Sequence, residues 1–217
     1  MARLGAVTAE ALAPLKGVTL GTAKSELSRL ARLGLVSSCR PLRDQPSLYT
    51  VTSEGMNACG EQGLTRCKVT PGSAPHLIAC AAVAAKLAYS CQGHRLAGER
   101  ELRRDEGVQG GPLASATLGV GKDGAKLLHR PDLVLWPLRQ VGKGDGQAGE
   151  ERRRLPVVVE VELTLKSRER LAEICSAWAR CDLVAGVLYV AVPEVERALA
   201  QAIAGSEASG RIVVLPL

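Results

Sequence analysis

Residues 156–163, PVVVEVEL, decide the fold class. Three consecutive valines followed by Glu-Val-Glu make the strongest strand signal in the chain, because branched side chains suit a pleated, packed surface. The period of two puts Glu160 and Glu162 on the same face of that strand. Downstream, Lys166–Arg180 reads as a helix with Leu171, Ile174, Cys175 and Trp178 turned inward. Leu183–Val192 is a continuous apolar run, as expected of a strand buried on both faces. Pro193 then opens a helix through Val195, Leu199 and Ile203, and Arg211–Leu215 is a final strand. Strands alternating with helices make this part of the chain α/β, built on a central mixed sheet.

Upstream, Leu113–Val120 and Leu127–Trp136 read as strands joined by a Gly-Lys-Asp-Gly hairpin turn at 121–124. The second of them contains Pro131-Asp132. Pro137–Arg154 mixes Gly, Lys, Glu and Arg without periodicity and reads as a mobile loop. Further upstream, Ala74 opens an Ala-rich, weakly charged segment whose Leu77, Cys80, Ala81, Ala84, Leu87 and Ala88 share a helical face. His76 near its start reads as a helix-terminal histidine. The charged stretch Gly98–Arg104 follows, and Glu61–Ser73, with Pro71-Gly72, has a linker's polar composition.

The first third has a different pattern. Thr8–Leu15 is a short helix bounded by Pro14, Lys16 and Gly17, and a second helix starts near Thr19 or Thr22. Ala23, Leu27, Leu30, Ala31 and Leu33 line its apolar side, and Lys24, Ser25, Ser28, Arg29 and Arg32 its polar side. Gly34 stops it. Leu35–Ser38 and Leu48–Val51 are strands around a basic turn, Arg40–Pro46, and Thr52–Gly55 opens another helix. Net charge is +4 over the first 70 residues against +2 over the rest, the sign expected for contact with phosphates.

Composition closes several doors. With 217 residues, 46% hydrophobic and 23% charged, the chain is globular rather than disordered, and long enough for two small domains. Aromatic residues are 2% and Phe is absent, which disfavours a stacking platform for RNA or single strands. No uncharged run of 18 apolar residues suits a membrane span, and the first residues lack a secretory pattern, so a cytoplasmic location is expected. Seven cysteines are spaced 20, 8, 13, 11, 84 and 6 apart, without C-x-x-C, so reduced thiols and no zinc are expected. P-loop, G-x-S-x-G and H-E-x-x-H motifs are missing.

The chemistry-bearing residues are Asp132, Glu160 and Glu162. If their strands pair, three carboxylates converge, an arrangement that suits Mg²⁺ or Mn²⁺ and activation of water against a phosphodiester. The alternative is a solvated strand face whose acids are neutralised by Arg130, Lys166 or Arg168.

Three resemblances carry further expectations. Residues 7–60, through SELSRLARLGLV and YTVTSEG, resemble the winged helix-turn-helix family. That implies double-stranded DNA as partner, with Lys24, Ser25, Ser28, Arg29 and Arg32 on the recognition helix and Arg40 and Arg43 on the wing. Such domains usually carry a helix before this pair; a truncated start, a partner or the second domain could supply it. Residues 74–217 resemble the PD-(D/E)xK nuclease superfamily. The resemblance makes Asp132 and Glu160 metal ligands and catalytic, with Glu99 or Glu101 as the helix acid. Glu162 stands where the usual Lys lies, leaving Lys166 as a displaced catalytic lysine. The whole chain, through APHLIACAAVAAKL, ERELR, HRPDLVLW, VVVEVELTLKSRERLAEICSAWAR and VAGVLYVA, resembles the replication-relaxation family of plasmids and integrative elements.

The expected organisation is a winged-helix domain over 1–66, a linker over 67–73 and a nuclease-like α/β domain over 74–217. The expected function is DNA binding in replication-relaxation, transfer or their regulation, with or without Mg²⁺-dependent cleavage. The rival is a winged-helix regulator whose degenerate nuclease fold serves dimerisation or partner binding, and a homodimer stays open under both.

Overall fold

The computed structural model describes residues 1–138 and 155–217, and within them the chain is mixed α/β. The first part runs β1 (Ala6–Val7), α1 (Ala9–Lys16), α2 (Leu20–Arg32), β2 (Val36–Cys39), β3 (Leu48–Val51) and α3 (Ser53–Ala58). The second begins with α4 (Ala74–Ser90), β4 (His94–Gly98), α5 (Glu99–Gln109), β5 (Ala116–Val120), β6 (Lys126–His129) and β7 (Leu133–Pro137). It continues through β8 (Val157–Glu162), α6 (Arg168–Ala179), β9 (Gly186–Ala191), α7 (Pro193–Ala204) and β10 (Ile212–Pro216).

Local chemistry sets the helix starts. Thr8 accepts the Ala11 N–H at 3.1 Å, Thr19 accepts that of Thr22 at 3.2 Å, and Thr52 accepts that of Gly55 at 3.0 Å. Each side chain satisfies a donor that the first helical turn leaves without a backbone partner. Helix α1 carries on through Pro14 to Lys16, one residue past the expected Leu15, and ends where Gly17 takes the left-handed conformation (φ 64°). Strands β2 and β3 form an antiparallel hairpin, and β1 adds to the far side of β3, giving the order β1-β3-β2.

The larger sheet has the order β10-β9-β8-β7-β4. Strands β4, β7 and β8 pair antiparallel, and β8, β9 and β10 pair parallel through the crossover helices α6 and α7. Val158 and Val187 pack on one face against Leu171, Ile174, Trp178, Val195 and Leu199. Val159 and Val161 pack on the other against Ala79, Val83 and Ala84 of α4. The three consecutive valines of the quoted stretch thus serve two cores.

Helix α4 is covered on both sides. Its Ala81 and Ala85 meet Ala11 and Leu15 of α1, and its Ala74, Leu77 and Ile78 meet Ala6 and Leu48. The helix that opens the second part thereby packs directly on α1. Small alanines allow this close approach on both faces.

Several expectations are corrected. Leu127–Trp136 is two strands in different sheets: Pro131 has no N–H to donate, and the chain turns there between β6 and β7. Strand β4 lies on residues to which no element was assigned, and the charged stretch Gly98–Arg104 opens α5. Just before the expected linker, Leu64 is buried, and Glu61 accepts from Arg3 at 2.6 Å and from Arg104 at 2.7 Å. The loop expected at 137–154 lies, after Leu138, outside the described residues, as does the Arg152–Arg154 run.

Candidate functional site

Strand pairing brings the expected acids to one end of the large sheet. Leu133 pairs with Val159, so one step further along the register Asp132 stands across from Glu160. The backbone fixes Asp132 firmly: its carbonyl accepts the Glu99 N–H at 3.0 Å, and its Oδ2 accepts the Val161 N–H at 2.7 Å. The remaining oxygen, Oδ1, lies 2.9 Å from His76 Nε2, at the start of α4. Hydrogen bonding to this carboxylate raises the His76 pKa above its ordinary value, against the opposing effect of burial.

Glu160 and Glu162 are 7% and 6% exposed, so their face of β8 is buried and not the solvated face of the alternative reading. Glu160 Oε1 lies 2.8 Å from His129 Nε2, yet the approach is misaligned, and both atoms are buried without a proper hydrogen-bond partner. The His129 ring stands edge-on to Trp178 at 5.7 Å. Burial drives the Glu160 carboxyl pKa upward, and the nearby Asp132 charge adds to the effect. The adjacent His129 ring opposes the shift.

Glu162 is already satisfied, through an ion pair with Lys166. Burial lowers the Lys166 pKa, and the charges of Glu160 and Asp132 oppose that shift. The expected three-carboxylate convergence therefore takes a different form. Asp132 and Glu160 are opposed in the strand register, but their carboxylates meet different partners, His76 and His129, and Glu162 is occupied by Lys166. Arg130 plays no part in neutralising them; it donates to Glu106 at 2.8 Å, which also holds the Ser115 hydroxyl and the Leu113 N–H. Arg168 is exposed at the start of α6.

The two helix acids part company. Glu99 begins α5 beside Asp132 and is paired with Arg103 at 2.5 Å. Glu101 is 2% exposed and turned toward Arg95 and Arg3, at 2.5 and 3.5 Å, in the ionic cluster around Glu61.

Sequence reasoning missed the role of His76 and Cys80. They are four residues apart on α4, hence on one face, with Cys80 Sγ 3.4 Å from His76 Nε2. Together with Asp132 they form, among the described residues, the one group of His, Cys, Asp or Glu side chains whose donor atoms all lie within 4.8 Å of one another. The four-residue spacing is visible in the sequence, but it is not a zinc-finger Cys/His spacing, and Asp132 lies far along the chain.

The basic residues of the first part lie on open surface. Lys24, Ser25, Ser28, Arg29 and Arg32 are exposed on α2, opposite the buried Ala23 and Leu27. Lys24 Nζ is 4.0 Å from Glu10. Arg40 and Arg43 are exposed in the β2–β3 loop, where Arg40 Nε donates to the Gln45 carbonyl at 3.1 Å and closes the turn. An apolar cavity of about 520 Å³, lined by Leu15, Leu30, Leu35, Val51, Ala88 and Leu96, opens between these elements and α4, and contains neither Asp132 nor Glu160. Among the described residues no helix is long and apolar enough to cross a membrane.

No family model, curated protein or solved structure matches the chain.

Proposed function

We propose that the chain binds double-stranded DNA through a winged helix-turn-helix made of β1 to α3, beside a second unit of PD-(D/E)xK nuclease type. The carrying observation is the order β1-β3-β2 around the α1–α2 pair, with the cationic side of α2 left exposed next to the β2–β3 hairpin. A helix of that diameter fits the major groove, and a basic hairpin beside it reaches the phosphate backbone. Lys24, Arg29 and Arg32 would face the groove and its walls, Ser25 and Ser28 would donate to base edges or phosphates, and Arg40 and Arg43 would hold the flanking strand. The segment order of the replication-relaxation proteins supports work in mobile-element replication, transfer or their regulation.

For the second unit the proposed reaction is Mg²⁺- or Mn²⁺-dependent phosphodiester hydrolysis. Asp132 and Glu160 would hold the ion, and the misaligned, buried Glu160 Oε1 is the observation that fits a missing cation. A bound ion of this class lowers the pKa of its water and stabilises the developing phosphorane charge. Lys166 keeps Glu162 paired and places its ammonium beside the two acids, where it would orient water or a phosphate oxygen. A second reading keeps DNA binding and drops hydrolysis. It is favoured by Glu162 being taken up by Lys166 and by both Asp132 oxygens having partners.

Calorimetric titration of Mg²⁺ and Mn²⁺, with plasmid nicking followed in the same samples, separates the two. Uptake and nicking that both disappear in Glu160→Ala support hydrolysis. Salt-sensitive DNA binding without either supports a non-catalytic second unit. Absence of DNA binding under all conditions removes the proposal itself.

A further inference from the structure

We propose that His76, Cys80 and Asp132 form a binding site for a thiophilic divalent metal of the Zn²⁺ class, with one coordination position left for water. The donors are an imidazole nitrogen, a thiol sulfur and a carboxylate oxygen, all within 4.8 Å of one another. Zn²⁺ accepts all three donor types in tetrahedral geometry, and three protein ligands plus a water is the pattern of an open zinc site. Mg²⁺ would not choose a sulfur ligand.

The spacing supports this. Around a tetrahedral ion with ordinary bond lengths, nitrogen and oxygen donors stand about 3.4 Å apart, and sulfur and nitrogen about 3.6 Å apart. Here His76 Nε2 lies 2.9 Å from Asp132 Oδ1 and 3.4 Å from Cys80 Sγ. Entry of an ion asks for shifts of about 0.5 Å and 0.2 Å along these two edges, and the third, Cys80 Sγ to Asp132 Oδ1, is within 4.8 Å. The contacts in place are the ones that the ion would replace, with Nε2 at the centre of the group.

The frame is also suitable. His76 and Cys80 lie in the first two turns of a 17-residue helix packed on both sides, so their separation is fixed by the helix rather than by a loop. The other Asp132 oxygen is held by the Val161 N–H, which leaves Oδ1 to act as a single-oxygen ligand and supplies the outer-shell support that metal carboxylates need. His76 is half-buried and Cys80 partly so, which gives an ion a route from solvent. Binding needs the thiolate and a neutral imidazole, so it releases protons.

The site shares Asp132 with the proposed Mg²⁺ ligands but stands independently of DNA binding. Zn²⁺ bound here would occupy Oδ1 and so compete with any Mg²⁺ held by Asp132, inhibiting Mg²⁺-dependent cleavage.

The test uses the full-length, fully reduced chain with Co²⁺ as a spectroscopic probe and Zn²⁺ competition. The expected result is one equivalent of Co²⁺ with a thiolate-to-metal charge-transfer band, displaced by Zn²⁺. Cys80→Ala and Cys80→Ser should remove the band, His76→Ala should weaken binding by at least about tenfold, and Cys59→Ala should change nothing. Should the alanine variants not fold, Cys80→Ser and protection of wild-type Cys80 from alkylation by Zn²⁺ decide the matter. A wild-type chain with no band, or a band that survives Cys80→Ser, overturns the proposal. Neither result bears on duplex binding, and a carboxylate site for Mg²⁺ yields no thiolate band.

Discussion

Asp132 links the two faces of the large sheet, meeting His76 at 2.9 Å on the α4 side while its other oxygen takes the Val161 N–H at 2.7 Å. It stands across the strand pair from Glu160, whose carboxylate faces His129 and Trp178 on the α6 side. One short stretch around Pro131 therefore connects the helix shared with the first part to the interior acid of β8. Consequences follow for pH, for packing and for DNA.

The His76 pKa is raised in the folded chain, chiefly by Asp132. Its contribution to stability is full below the ordinary histidine range, about pH 6.5, and is lost as pH rises through the raised value. Urea midpoints of the metal-free wild type and His76→Ala should differ most at mildly acid pH and converge at alkaline pH. A gap that grows with pH would contradict the assigned ion pair.

Glu160 shifts stability in the same direction, starting from the carboxylate range. Its raised pKa means that the protonated form is favoured in the fold, so its stability contribution falls as pH rises from the ordinary carboxylate range through the raised value. Glu160→Gln keeps the shape and removes the charge. Without added metal, its melting temperature should exceed that of the wild type at neutral pH, and the gap should shrink toward about pH 4. A gap independent of pH would mean that Glu160 is not held against its charge.

The first and second parts are tied by close backbone approach. A Cβ at Gly98, in β4, would stand 2.8 Å from the Arg3 carbonyl. Gly98→Ala should cost about 1–3 kcal/mol in urea unfolding, the usual range for overpacking against an unyielding group. Gly107→Ala, with nothing within 4 Å of the added atom, serves as the control and should be neutral to mildly stabilising. Equal effects of the two would deny that residues 1–5 are docked on β4 and α5.

Much of this architecture is legible in the sequence, and the exceptions have physical causes. VVVEVE, the apolar run before Pro193 and the Thr-capped α2 each carry a local signal of pattern or capping, and each forms about where that signal lies. Strand β4 does not, because His94–Gly98 shows no alternation and is ordered by pairing with β7 far along the chain. Helix α4 showed one apolar face where the structure uses two, since alanine is small enough to pack anywhere. At the site, the register that opposes Asp132 and Glu160 follows from strand pairing, but the Glu162–Lys166 pair depends on how the β8–α6 turn folds back. The contact of His76 with Asp132, 56 residues apart, has no local signature.

The central claim is that the exposed side of α2 contacts DNA phosphates and bases. The direct test is fluorescence anisotropy of a labelled duplex against the full chain over a range of salt, for the wild type and Arg29→Ala/Arg32→Ala. The account predicts tight binding at low salt, weakening linearly on a log–log scale, with a slope reduced by about one for each phosphate contact removed. Folded protein that binds no duplex, or a double variant that keeps the wild-type affinity and slope, would contradict it.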